Sequence, residues 1–155
     1  MTTETPATQA VAAAGISHRV VEYGEVASLE EAARKRGVAV EKVMKSLVVR
    51  TGEDQFVMVI VPGDRVIDWP KLRAVVGVSR MSLAPADEAL AVTGYPRGAI
   101  TPFGSKRALP VICDVSLEGE VSLGGGAHGM SIHLDTADLV AFTKAQVADV
   151  TKQAE

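Results

Sequence analysis

Apolar, β-branched runs of strand length alternate along this chain with short helical stretches that carry their own start and stop signals. Residues 16–23 (ISHRVVEY) are rich in branched side chains and predict a strand. Residues 28–31 (SLEE) form a capping box, in which Ser28 accepts from the amide three residues on and Glu31 reaches back. The helix it opens is predicted to run to about Arg36 and to stop at Gly37. Residues 44–50 (MKSLVVR) and 55–61 (QFVMVIV) then read as a hairpin around Gly52, Glu53 and Asp54. The second of these runs is apolar at both parities, which places it centrally in a sheet. Asp68 caps a predicted helix that ends at Gly77, and a helix from Pro85 to about Val92 ends at Gly94.

Three further strands are expected at residues 110–116, 121–123 and 130–134, and Asp135 is expected to cap a helix from Thr136 to about Thr143. Residues 147–150 (VADV) are placed to close a sheet. The first fourteen residues are Thr- and Ala-rich and read as a flexible tail or a short helix ending at Gly15, leaving one domain over residues 15–155. Helices fall irregularly between clustered strands. The expected class is therefore α+β, a mixed, barrel-like sheet surrounded by short helices, rather than a regular βαβ array.

Composition narrows the function classes. The chain has 155 residues, a net charge of −3 and one cysteine. The lone Cys113 excludes an intramolecular disulfide, and no Cys/His spacing suits zinc. No apolar run approaches the ~18 residues of a membrane span, and residues 1–10 lack the basic start of a secretory signal. The expectation is a cytoplasmic protein with no membrane partner, no DNA partner and no metal or other cofactor. A small, locally basic RNA site remains compatible with the acidic total.

Candidate chemistry is sparse. Residues 124–129 (GGGAHG) match G-x-G-x-x-G, but the period-two pattern that follows is a strand, so the helix that cradles a dinucleotide phosphate is missing. A glycine loop between strands either connects them tightly or lets a ligand come close. Lys45 lies among residues that want burial, so it either snorkels from an edge or points into a cleft, where its ammonium could bind a phosphate or polarise a carbonyl. Residues 94–104 (GYPRGAITPFG) combine glycines and prolines into a shaped loop suited to presenting backbone N–H and C=O groups. Cys113 reads as a small buried apolar residue. His133 alternates onto the polar face of its strand, which predicts exposure, and His128 sits in the glycine loop. No nucleophilic triad is present, so hydrolysis would rest on positioning and backbone donors.

The strand VMKSLVV around Lys45, the G-x-x-x-P loop GAITP from Gly98 to Pro102, and the glycine loop followed by a strand and DTADLV occur in one order over residues 16–150. In this the chain resembles the YbaK/prolyl-tRNA-synthetase-associated editing domains. The resemblance implies a barrel-like mixed sheet with helices around it. It further implies a deacylase that hydrolyses the ester of a mischarged tRNA carrying a small amino acid such as cysteine, alanine or serine, with tRNA(Pro) foremost. The implied partners are the 3′ end of the aminoacyl-tRNA and an aminoacyl-tRNA synthetase. Lys45 stands at the family's signature lysine, and Gly98, Thr101 and Pro102 fall in the loop expected to hold the aminoacyl group and the attacking water. Tyr23, Gly126, Gly129 and Asp138 match expected substrate-binding places. His128 stands where many relatives carry arginine or lysine, a departure that bears on substrate choice. A noncatalytic module of the same fold, binding an RNA end, a nucleotide or a protein, is the alternative.

Overall fold

The computed structural model describes residues 3–155. In chain order they form α1 (Pro6–Ala13), β1 (Arg19–Glu22), α2 (Leu29–Arg36), β2 (Met44–Gly52), β3 (Gln55–Pro62), β4 (Arg65–Ile67), α3 (Trp69–Val76) and β5 (Ser82–Leu83). There follow α4 (Ala86–Thr93), β6 (Val111–Asp114), β7 (Glu120–Gly124), β8 (Met130–Asp135), α5 (Thr136–Thr143), β9 (Gln146–Ala148) and β10 (Thr151–Gln153). The helix signals act as the sequence predicts at most ends. Ser28 Oγ accepts from Glu31 N at 3.1 Å, Asp68 caps α3 and Asp135 caps α5. Gly37, Gly77 and Gly94 close α2, α3 and α4 with left-handed dihedrals. The box at α2 is only half used, because the Glu31 carboxylate turns to Lys35 at 3.5 Å.

A five-stranded sheet, ordered β5-β2-β3-β6-β9, organises the molecule. β2 and β3 pair antiparallel, Met44 opposite Pro62 through Arg50 opposite Phe56, while β6 joins β3 parallel and β9 joins β6 parallel. β3 is central, as its continuous apolar run predicts, and its two parities serve two cores. Met58 and Ile60 pack with Val11, Leu123, Ile132 and Leu139 on one face. Val57, Val59 and Val61 pack with Ile67, Leu72 and Val150 on the other. The remaining strands make an antiparallel sheet β1-β8-β7 and the pair β10-β4. The fold is mixed α+β, but among the described residues its strands form three sheets and no closed barrel.

Two expectations are corrected here. At the N-terminus the short-helix reading holds and the flexible tail does not: α1 buries Ala7 and Val11 completely in the main core, and its cap residue Thr5 donates from Oγ1 to Gly125 O at 2.6 Å. His133 is not exposed. It lies on β8, the middle strand of its sheet, whose residues Met130 through Leu134 are all buried. Period-two alternation reports exposure only where one face of a sheet meets water, and both faces of β8 are covered.

Candidate functional site

β5 pairs with β2 only at Val49 and Arg50, and β7 bridges the chain just before β2 at Val43, so on that edge the stretch from Met44 to Leu47 has no strand partner among the described residues. Consecutive residues from Val43 to Val48 line a cleft of about 760 Å³. Successive side chains on a strand point to opposite faces, so an unbroken run of lining residues means that the backbone edge itself faces the cleft. Such an edge offers N–H and C=O groups to a ligand. The other walls are the end of β1 with α2, the start of α4, the loop at Gly98 and the glycine loop. The volume lies within the ~300–1,000 Å³ usual for small-molecule sites.

The loop at residues 98–102 and the glycine loop, far apart in sequence, meet here. A Cβ on Gly124 would stand 3.0 Å from Ile100 O and 3.3 Å from Ala99 C, so only glycine lets the two backbones pack. Gly98 has φ +91°, and a Cβ there would meet His128 Cε1 at 3.3 Å. The His128 ring therefore lies against Gly98, and both line the cleft. Gly129 O accepts from Tyr23 N at 2.8 Å and Gly24 N at 3.2 Å, which ties the glycine loop to the end of β1.

Of the expected site residues, Tyr23, Lys45, Gly98, His128 and Gly129 converge on the cleft. Thr101, next to the lining residue Ile100, is fully buried, with a hydroxyl that has no partner among the described residues. Pro102 precedes the fully buried Phe103, whose carbonyl accepts from Tyr95 Oη at 2.6 Å. Pro102 itself is not on the cleft lining. Gly126 faces Thr5 and Tyr95 instead. Asp138 is exposed in the first turn of α5, away from the others.

Lys45 is half-buried, and its ammonium donates to Arg65 O. Burial lowers its pKa, with Asp64 acting against the shift. In this conformation its charge is held by the protein's own backbone. Ser46, which follows it, lines the cleft with a buried hydroxyl that has no partner among the described residues. A buried unpaired hydroxyl costs roughly 1–3 kcal/mol, a cost a polar ligand group would remove.

Sequence reasoning missed a polar network beneath the cleft. Arg36, in the last turn of α2, donates from Nη2 to Tyr23 Oη at 2.9 Å, from Nε to the same oxygen at 3.2 Å and from Nη1 to Ser122 Oγ at 3.2 Å. Ser122 Oγ and Ser131 Oγ lie 3.1 and 2.8 Å from His133 Nε2. On the other side of the ring, Arg19 Nη2 lies 3.2 Å from Nδ1 and also pairs with Glu120 at 2.7 Å. An arginine N–H can only donate, so Nδ1 accepts and the ring hydrogen sits on Nε2. Burial, then the Arg19 charge, push the His133 pKa down to about 4, while Glu120 opposes and Arg36 adds to the lowering. One signal was available: Arg36 falls four residues after Ala32, on the buried face of α2.

The family model described as an aminoacyl-tRNA editing domain matches residues 24–142. A proline–tRNA ligase of Trichlorobacter lovleyi is 33% identical over 124 residues, 79% of this chain and 22% of that protein. The chain thus spans about a fifth of the ligases it matches. EbsC of Enterococcus faecalis, described as a candidate Cys-tRNA(Pro)/Cys-tRNA(Cys) deacylase, is 26% identical over 126 residues, 80% of this chain and 77% of its own. The crystal structure of a candidate trans-editing enzyme for prolyl tRNA synthetase superposes with a TM-score of 0.88 at 29% identity, covering 97% of this chain and 99% of that one.

Proposed function

The chain belongs to the aminoacyl-tRNA editing domain family, and on that premise we propose that it is a deacylase that hydrolyses the ester of a mischarged tRNA. The observation that carries this reading is the cleft itself. In a chain of net charge −3, Arg36, Lys45 and Arg97 line one cavity against a single carboxylate, Glu25, beside the unpaired stretch of β2 and the loop at Gly98. That is a setting for a small acyl group joined to a polyanion.

The substrate is the 3′-terminal aminoacyl-adenosine. Water attacks the ester carbonyl carbon, the carbonyl oxygen becomes an oxyanion, and the ribose oxygen leaves with a proton to give free amino acid and uncharged tRNA. Backbone N–H groups at residues 98–101 and along the edge of β2 are suited to hold the acyl group and the developing oxyanion. The Lys45 ammonium, turned from Arg65 O, adds positive charge at the ester. The neighbouring ribose hydroxyl orients the water, so no protein nucleophile is required. Ser46 gives the amino acid a hydroxyl partner within a wall otherwise built from Met44, Val48, Ala89 and Ile100. Discrimination by size alone is worth only ~1–3 kcal/mol per methylene, which suits a site that clears small residues. The proline–tRNA ligase and deacylase relatives support tRNA(Pro) as carrier and a prolyl-tRNA synthetase as working partner. The test is a time course of ester loss from Cys-, Ala- and Ser-tRNA(Pro) against Pro-tRNA(Pro). Cleavage of a small-residue ester with Pro-tRNA(Pro) spared is expected, and binding without turnover would leave only the noncatalytic reading.

A further inference from the structure

We propose that Arg36 is the cleft's phosphate-binding residue, taking the phosphate of a nucleotide, and that Tyr23 and Ser122 hold its guanidinium ready for it. The proposal deepens the editing reading and rests on it for the natural ligand, the phosphate 5′ to the terminal adenosine.

Arg36 lines the cleft half-buried, yet it forms an ion pair with no carboxylate among the described residues. The contrast with its neighbour is direct, since Lys35 is paired with Glu31 at 3.5 Å. Glu25 lines the same cleft but makes no ion pair with Arg36, and a partly desolvated cation without a contacting carboxylate marks a place for an anion. The side chain is also fixed in direction. Nε and Nη2 both donate to Tyr23 Oη, Nη1 donates to Ser122 Oγ, and the guanidinium carbon lies 5.3 Å from the Tyr23 ring centroid. These bonds leave one N–H on each terminal nitrogen without a partner among the described residues, two charged donors for the oxygens of a phosphate. Ser122 is itself held, because His133 Nε2 stands 3.1 Å from its hydroxyl. Little side-chain entropy remains to be lost on binding, which favours affinity.

The experiment compares binding of adenosine, adenosine 5′-monophosphate and inorganic phosphate by NMR titration, using the wild type, Arg36→Gln and Arg36→Lys. Hydrogen bonds to charged groups at this strength predict that the wild type binds the monophosphate about tenfold tighter than adenosine. Arg36→Gln should abolish that preference while leaving adenosine affinity within about twofold, and Arg36→Lys should keep part of it, since the charge stays and the fork is lost. No preference in the wild type, or equal loss of both ligands in Arg36→Gln, overturns the proposal. So does inorganic phosphate perturbing the resonances around Arg36 as strongly as the nucleotide. Failure of the editing reading is separate: a wild type that prefers the monophosphate but cleaves no aminoacyl ester refutes that reading and keeps this inference.

Discussion

Acid should destabilise this protein through a single buried imidazole, well before most carboxylates titrate. His133 is fully buried, with Nδ1 accepting from Arg19, Nε2 facing two serine hydroxyls and the Arg36 guanidinium on the same serine. Protonating it would set an N–H against the Arg19 N–H and bring a third cation among two. Its pKa accordingly falls from an ordinary 6.5 to about 4. The folded value lies below the unfolded one, so between these two pH values the unfolded chain binds a proton that the native state refuses. Stability therefore drops as pH falls through 6.5 and levels off near 4. At about 1.36 kcal/mol per pH unit the span is worth about 3 kcal/mol, of which about 2 kcal/mol is lost by pH 5. That is a large share of the ~5–15 kcal/mol typical of a domain. Urea unfolding, followed by fluorescence of the lone Trp69 between pH 4 and 8, should show this loss in the wild type. In His133→Gln, which cannot titrate, the loss over the same range should be smaller by about 3 kcal/mol. An NMR titration of the His133 ring in the wild type is the direct control. A ring midpoint near 6.5, or parallel stability curves for the two proteins, would refute the reasoning.

Gly98→Ala places a side chain at φ +91° and 3.3 Å from His128. It should cost about 1–2 kcal/mol in urea and lower deacylation more than Pro102→Ala does, because Pro102 lies outside the cleft; equal activities would remove the loop's backbone from the mechanism. Deleting residues 1–13 strips Ala7 and Val11 from the core and the Thr5 bond from Gly125. Burial of Val11 alone is worth ~1.5–3 kcal/mol, so the thermal midpoint should fall by several degrees, whereas an unchanged midpoint would mean that α1 does not pack.

What the sequence made legible was chiefly local. Capping at Ser28, Asp68 and Asp135, left-handed stops at Gly37, Gly77 and Gly94, and the hairpin around residues 52–54 each depend on neighbours within a few positions, and each appears in the fold. β4, β5 and β10 have only two or three residues apiece, too few to carry a period, and they exist because another strand supplies the pairing. The packing of α1 and the burial of His133 are likewise set by distant elements. At the site, glycines and a lysine at fixed spacing led to Gly98, Gly129 and Lys45, which do meet. Arg36 escaped notice because an arginine in a last helical turn is ordinary, and only Tyr23 and Ser122 give it a task. Asp138, expected at a substrate-binding place, lies on the surface.

The central claim is that the cleft hydrolyses an aminoacyl ester with Lys45 at the ester. The most direct test is the rate of ester loss from Cys-, Ala- and Ser-tRNA(Pro) with the wild type and with Lys45→Ala, folding of both confirmed by circular dichroism and thermal midpoint. Lys45 is half-buried and not a core side chain, so the midpoint should move little. The wild type should cleave at least one of these esters well above the buffer rate, and Lys45→Ala should lose about 10²–10³ of that rate, the usual cost of removing one positioned donor. A folded wild type that cleaves none of them, or a Lys45→Ala variant as fast as the wild type, would contradict the account.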